Sequence, residues 1–177
     1  IGPGDVLLGL ASNGMHANGF SLVRRLIEDQ GQDYAAAAPF APDVTLAEAL
    51  LRPTKIYVPS CLAAIRAGLI KGLSHITGGG LIENPPRIMP EGTVARINGA
   101  SWPMPPLFKW LAQLGQIEPL EMARTFNCGI GMIAIVAADD VAAATALFQE
   151  AGETVWPIGV IAAADGPARV EIGGLEF

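Results

Sequence analysis

The chain has only two histidines, and each lies in a glycine-rich turn. The first turn reads Ser12-Asn13-Gly14-Met15-His16-Ala17-Asn18-Gly19-Phe20, between an apolar run and an amphipathic stretch. The second reads His75-Ile76-Thr77-Gly78-Gly79-Gly80-Leu81, again after a short apolar run. A strand that ends in glycines and runs into a helix points unbonded backbone N–H groups, and the positive end of the helix dipole, at one place. Such an arrangement binds anions, phosphate above all. Two of them in one chain predict a substrate or product that carries phosphate.

In the first turn the amides of Gly19, Phe20 and Ser21, at the helix start, would hold the anion, with Gly14 a further candidate for phosphate binding. Ser12, Asn13, His16 and Asn18 would add side-chain bonds. The alternative is a plain strand–turn–helix in which Asn18 caps the helix. His16 reads either as a hydrogen-bonded surface group or as a group that a bound phosphate would keep protonated. In the second turn, three consecutive glycines forgo side-chain packing at a heavy entropic cost. That is tolerated where backbone bends sharply or approaches a ligand closely. Thr77, Gly78, Gly79, Gly80 and Asn84 are the candidates there, with Glu83 and Arg87 nearby; a flexible linker and a solvated helix face are the alternatives. A third run, Asn127-Cys128-Gly129-Ile130-Gly131-Met132, has its glycines before a strand, so it is no dinucleotide fingerprint. Its glycines permit close strand packing or a narrow cleft wall. Cys128 reads as a small buried hydrophobe rather than a nucleophile. There is no GxxxxGK[ST], HExxH or paired CxxC, and no metal-ligand set is expected within these residues.

The elements that would position these turns follow from periodicity. The continuous apolar run 5–11 predicts a buried strand. A helix is expected from the Asn18 cap to Gly31, with Phe20, Val23, Leu26 and Ile27 as one stripe. Residues 32–44 read as a loop, Thr45 as the cap of a short helix to Leu51, and 58–67 as a helix. Strands are expected at 73–76, 93–97, 130–136, 155–161 and 168–172. Helices are expected at 107–114, 119–124 and 140–151, with one after Gly80 that Pro85-Pro86 cuts short. Strands and helices are mixed rather than strictly alternating, which predicts an α/β (α+β) chain with a layered mixed sheet and helices packed on it.

Composition narrows the function classes. Of 177 residues, 51% are hydrophobic and 16% charged, so the chain can bury a core. A net charge of −6 argues against a general nucleic-acid binder. Backbone amides can still hold one phosphorylated small molecule without net positive charge. Two cysteines far apart, Cys61 and Cys128, fit free thiols in a reducing, cytoplasmic setting. No apolar run is long enough for a membrane span. The opening Ile1-Gly2-Pro3-Gly4-Asp5 reads as a linker entering a strand, and a partner domain is expected on its N-terminal side.

As a set, these motifs resemble the C-terminal domain of the aminoimidazole ribonucleotide synthetase (phosphoribosylformylglycinamidine cyclo-ligase) family. The resemblance rests on Gly4-Asp5-Val6-Leu7 leading into residues 12–24, on Leu51-Arg52-Pro53-Thr54-Lys55-Ile56-Tyr57-Val58, on residues 75–87, and on Phe126-Asn127-Cys128-Gly129-Ile130-Gly131-Met132. They occur in the family's order over most of the chain. The family pattern often has Ser-Ser-Gly and His-Ser-Asn-Gly where this chain has Ser12-Asn13-Gly14 and His16-Ala17-Asn18-Gly19, so a hydroxyl is missing at Ala17 while the backbone turn is kept.

The resemblance implies that residues 1–177 form a single, partly ferredoxin-like C-terminal domain closing over a cleft. It implies a separate N-terminal domain for dimerisation, ATP and most of the Mg²⁺ binding, and a homodimer in the full-length enzyme. The implied reaction is ATP-driven: the formyl oxygen of formylglycinamidine ribonucleotide is phosphorylated, nitrogen attacks and phosphate leaves. His16 and His75 would donate to a phosphate or to the transferring phosphoryl. Sister enzymes of the superfamily (formylglycinamidine ribonucleotide synthetase, selenophosphate synthetase, thiamine-phosphate kinase, the hydrogenase-maturation dehydratase) and a non-enzymatic binding module are the rival readings.

Overall fold

The computed structural model describes residues 1–177. The elements are β1 (Val6–Ala11), α1 (Phe20–Asp29), β2 (Ala37–Ala38), β3 (Ala41–Thr45), α2 (Leu46–Leu50), α3 (Val58–Arg66), β4 (Gly72–His75) and α4 (Gly80–Glu83). There follow β5 (Thr93–Asn98), α5 (Pro106–Gly115), α6 (Pro119–Thr125), β6 (Ile130–Val136), α7 (Val141–Glu150), β7 (Val155–Ala163) and β8 (Arg169–Gly173). Six strands form one sheet in the order β4-β6-β1-β7-β5-β8. All neighbours are antiparallel except the parallel pair β5 and β8.

Within this sheet, β1-α3-β4-β6-α7-β7 is a βαββαβ unit whose four strands lie in the order β7-β1-β6-β4. That is the ferredoxin-like arrangement. Strands β5 and β8 extend it beyond β7.

The unbroken apolar runs of the central strands have a physical cause: both faces of the sheet are covered. Side chains alternate along a strand. Leu7, Ile133, Ile135 and Ile158 therefore fall on one face, in a core with Val23 and Ile27 of α1, Phe108 and Leu111 of α5 and Met122 of α6. Leu8, Leu10, Ala134 and Val136 fall on the other, against Cys61 and Ala64 of α3 and Ala144 and Phe148 of α7. The result is three layers, helices–sheet–helices. No helix is long and apolar enough to cross a membrane.

Two local expectations are corrected. Residues 32–44 are not all loop: β2 and β3 pair as a small hairpin. Its strands, Ala37–Ala38 and Ala41-Pro42-Asp43-Val44-Thr45, carry almost no apolar alternation, so periodicity could not reveal them. The cap of α1 is Gly19, at φ 71°, with no side-chain cap bond, and the Asn18 side chain points elsewhere. Thr45, by contrast, makes the full capping box expected of it with Glu48.

Candidate active site

Topology brings the three glycine-bearing motifs together. Strands β1 and β4 both run antiparallel to β6, on either side of it, and so run parallel to each other. Their C-terminal ends therefore lie beside the start of β6, with Ala11 opposite Ile130 and His75 opposite Met132. The turn at 12–19 leaves the first end, the turn at 76–80 leaves the second, and Asn127–Gly131 lies between them. Backbone bonds tie the three: Ser12 N–H donates to Gly129 O at 2.9 Å and Ile76 N–H to Gly131 O at 3.0 Å.

Three asparagines fasten the arrangement. Asn127 is fully buried; its Oδ1 accepts from Ser12 Oγ (3.0 Å) and Gly129 N–H (2.9 Å), and its Nδ2 donates to Gly14 O (2.9 Å). Asn18 Nδ2 donates to Ile76 O at 3.1 Å, linking the first turn to the second. Asn84 accepts from Thr77 Oγ1 and donates to the carbonyls of Thr77, Gly78 and Gly80, gathering the triple-glycine turn around one amide. Asn13 Nδ2 donates to Pro53 O. The side-chain amides of Asn13, Asn18 and Asn84 thus hold backbone in place. That leaves backbone N–H groups, beside the two histidine rings, as donors for a ligand.

Those donors are present. The amides of Gly19, Phe20 and Ser21 have no acceptor within the chain, and neither do those of Gly78 and Gly79. Gly19 must be glycine, because a Cβ there would run into the Phe126 ring. Gly79 and Gly80 hold φ of 97° and 55°. The helix after them, α4, is only four residues long, so the second turn has N–H groups but little dipole behind them.

The rings of His16, Tyr57 and His75 face one another at centroid distances of 6.2, 6.3 and 6.5 Å. A Cβ at Gly131 would strike both the Tyr57 hydroxyl and His16, so that glycine lets two side chains lie over β6. The Tyr57 hydroxyl donates to Ala11 O at 2.8 Å. Burial pushes its proton affinity up, aided by the Glu153 carboxylate, so it stays a neutral phenol. Lys55 Nζ lies 5.4 Å from the Tyr57 ring centroid and 2.6 Å from Glu153 Oε2.

His16 differs from expectation. It is buried, 4% exposed, in a left-handed backbone conformation at φ 57°. Burial first, then the positive charges at His75 and Lys55, lower its pKa from 6.5 to about 4. Without a ligand it is neutral at pH 7; the protonated form expected of it is the one that a bound phosphate would hold. Its Nε2 accepts the Lys55 backbone N–H at 3.5 Å, and its Nδ1 is buried with no partner. Such an orphaned buried nitrogen fits a site that expects a hydrogen-bonding ligand. His75, across the cleft, is exposed.

Glu83 forms an ion pair with Arg124 at 3.8 Å, and Asn84 serves the turn. Cys128 is fully buried with its thiol pKa pushed up by desolvation, as a packing residue should be. Sequence reasoning did not single out Asn127, Lys55, Tyr57 or Glu153 as site residues. The first three lie inside runs noticed for other reasons; Glu153, in the turn between α7 and β7, carries no local signal. No group of three His, Cys, Asp or Glu residues is placed to hold a metal ion.

Residues 2–171 match the family described as AIR synthase related protein, C-terminal domain. The chain is 54% identical over 161 residues to the phosphoribosylformylglycinamidine cyclo-ligase of Neisseria meningitidis serogroup C, covering 91% of this chain and 46% of that protein. It therefore spans about half the length of the curated relatives it matches. Two solved structures share the fold: thiamine-monophosphate kinase from Stenotrophomonas maltophilia (TM-score 0.61, 20% identity, 97% of this chain and 51% of that one) and PurL of T. maritima complexed with ADP (TM-score 0.54, 13% identity, 96% and 23%). With a sheet and three convergent turns of this form, and a family match over nearly its whole length, the chain belongs to the AIR synthase related protein C-terminal domain family.

Proposed function

We propose that this chain is the cleft-forming C-terminal domain of an ATP-dependent cyclo-ligase that converts formylglycinamidine ribonucleotide to aminoimidazole ribonucleotide in purine biosynthesis. The observation that carries the reading is 54% identity, across 91% of the chain, to a protein of that activity. The site is competent for it: unbonded amides at two turns, and a buried neutral imidazole between them.

In this reading the amides of Gly19, Phe20 and Ser21 bind a phosphate of the ligand, and those of Gly78 and Gly79 bind a second anionic group. Their positions are preorganised by Asn127, Asn18 and Asn84, so little reorganisation accompanies the reaction. His16 donates a hydrogen bond from Nδ1 to a ligand oxygen, and an anion bound there raises its proton affinity. His75, exposed and 6.5 Å from His16, supplies a second donor or acceptor at the cleft mouth. ATP supplies the phosphoryl group that turns the formyl oxygen into a leaving group. ADP bound to PurL, a protein of the same fold, supports nucleotide use by this architecture. The reading assigns Mg²⁺, most of the ATP contacts and homodimerisation to an N-terminal domain of a cytoplasmic enzyme, as the family resemblance implies.

The test is the longer protein that carries this chain, assayed for ring closure with formylglycinamidine ribonucleotide, ATP and Mg²⁺. His16→Gln should lower kcat/KM by about 10²- to 10³-fold, the size of losing one preorganised donor. Turnover of thiamine phosphate in place of formylglycinamidine ribonucleotide would replace this reading with that of a sister kinase.

A further inference from the structure

Glu153 is a buried carboxylate outside the ring cluster, with a side chain 5% exposed. Its Oε2 forms an ion pair with Lys55 Nζ at 2.6 Å, without aligned hydrogen-bond geometry, and its Oε1 accepts from Ser60 Oγ at 2.8 Å. Burying a carboxylate is expensive even when it is paired. A hydrophobic residue would pack in that turn at lower cost, so the charge asks for a reason.

The reason lies one bond further on. Residues 52–57 carry no regular secondary structure between α2 and α3, yet they cross the candidate site. What holds Lys55 there is the pull of Glu153 on its Nζ and the Tyr57 ring beneath it. Tyr57 is itself pinned by its hydroxyl on Ala11 O. Ser60, at the start of α3, lies within bonding distance of both Glu153 and Tyr57 O, so it joins the carboxylate to the same segment. The backbone N–H of Lys55 then meets His16 Nε2. A neutral imidazole has one donor and one acceptor nitrogen, and the partner of one decides the state of the other. With an N–H aimed at Nε2, the proton must sit on Nδ1, the nitrogen that has no partner in the chain.

We propose that Glu153 is a positioning residue: by holding Lys55 it fixes His16 as the Nδ1–H tautomer, so that His16 meets a ligand as a hydrogen-bond donor. The value of this to catalysis rests on the ligand-facing role proposed for His16 above. The tautomer itself does not, and the experiment reads the tautomer.

The chain is labelled with ¹⁵N-histidine, and the imidazole nitrogens are recorded near neutral pH, without ligand. Wild-type His16 should show a single Nδ1–H pattern, while exposed His75 shows the Nε2–H form that predominates in unconstrained histidine. In Glu153→Gln, and separately in Lys55→Met, the His16 tautomer ratio should move toward Nε2–H by about fivefold to tenfold, the equivalent of one neutral hydrogen bond. Lys55→Arg keeps the ion pair and should keep the wild-type pattern. An Nε2–H pattern in the wild type overturns the proposal, as does an unchanged ratio in either folded variant. If Glu153→Gln and Lys55→Met both unfold while Lys55→Arg folds, the pair serves the fold alone and the positioning role is overturned. Phosphate added last tests the ligand reading separately. A fixed tautomer with no phosphate effect keeps this inference and sinks that reading.

Discussion

His16 couples the site to stability, and the sign can be worked out. An unfolded histidine takes up its proton near pH 6.5, whereas in the folded chain His16 does so only near 4, because burial and the neighbouring His75 and Lys55 charges oppose it. Between those values the unfolded chain binds more protons, so stability falls as pH drops through this window. It is full above about pH 6.5 and levels off, for this group, below about 4. At about 1.4 kcal/mol per pH unit across that window the loss is on the order of 3 kcal/mol. Melting temperatures from pH 7 to pH 4, for wild type and His16→Gln, check it. The variant should lose this part of the acid sensitivity, and equal slopes in both proteins would refute the assignment. Bound phosphate should oppose the trend by restoring the proton to His16.

At the scale of elements, adjacent glycines of one turn have different duties. Gly80 meets α6: a Cβ there would collide with the carbonyl oxygens of Ala123 and Phe126, which are backbone and cannot swing away. Gly79 meets Glu83: its carboxylate can swing away, but its Cβ, 2.8 Å from a new Cβ, must shift with the α4 backbone by a few tenths of an ångström, and a φ of 97° disfavours any larger residue. Gly80→Ala should therefore destabilise by roughly 2 to 4 kcal/mol with the turn pushed off α6. Gly79→Val should fold with a smaller loss of roughly 1 to 3 kcal/mol and weaken anion binding, because it covers the free amides. Calorimetric melting together with a phosphate titration separates the two. A Gly80→Ala protein that melts with wild type would contradict the close packing. A Gly79→Val protein with unaltered phosphate affinity would remove the second turn from the site.

Across the whole molecule, the ferredoxin-like unit is covered by helices on both faces, while the candidate site sits at one end of the sheet and opens outward at His75 and Lys55. Beside it lies an apolar groove of about 500 Å³ lined by Tyr57, Leu62, Ile65, Leu73 and Met132, with Ile56 and Val58 well exposed. The chain carries unbonded amides at two turns and no group of three His, Cys, Asp or Glu residues placed to hold a metal ion. On the proposed reading, which places nucleotide and Mg²⁺ binding outside these residues, the 177-residue chain given formylglycinamidine ribonucleotide, ATP and Mg²⁺ is expected to show no ring closure while still binding phosphate. Ring closure by the chain alone at the rate of a full-length relative would show that the nucleotide site lies within it.

Much of this was written locally. The apolar run of β1, the stripe of α1, the Thr45 capping box and the prolines that end α4 depend on residues a few positions apart, and each could be read before any fold was known. The two histidine-bearing turns were legible for the same reason. Tertiary structure decided what joins them. Ser12 reaches Asn127 across 115 positions and Asn18 reaches Ile76 across 58, because β1 and β4 flank β6 and end on the same side. Tertiary structure also decided that His16 is a buried, neutral ring in the chain without ligand. Proton affinity depends on which charges and how much water surround a group in space, and Lys55, His75 and the covering Tyr57 come from two other parts of the chain. Spacing announces a hydrogen-bonding histidine; only packing chooses which nitrogen carries the proton.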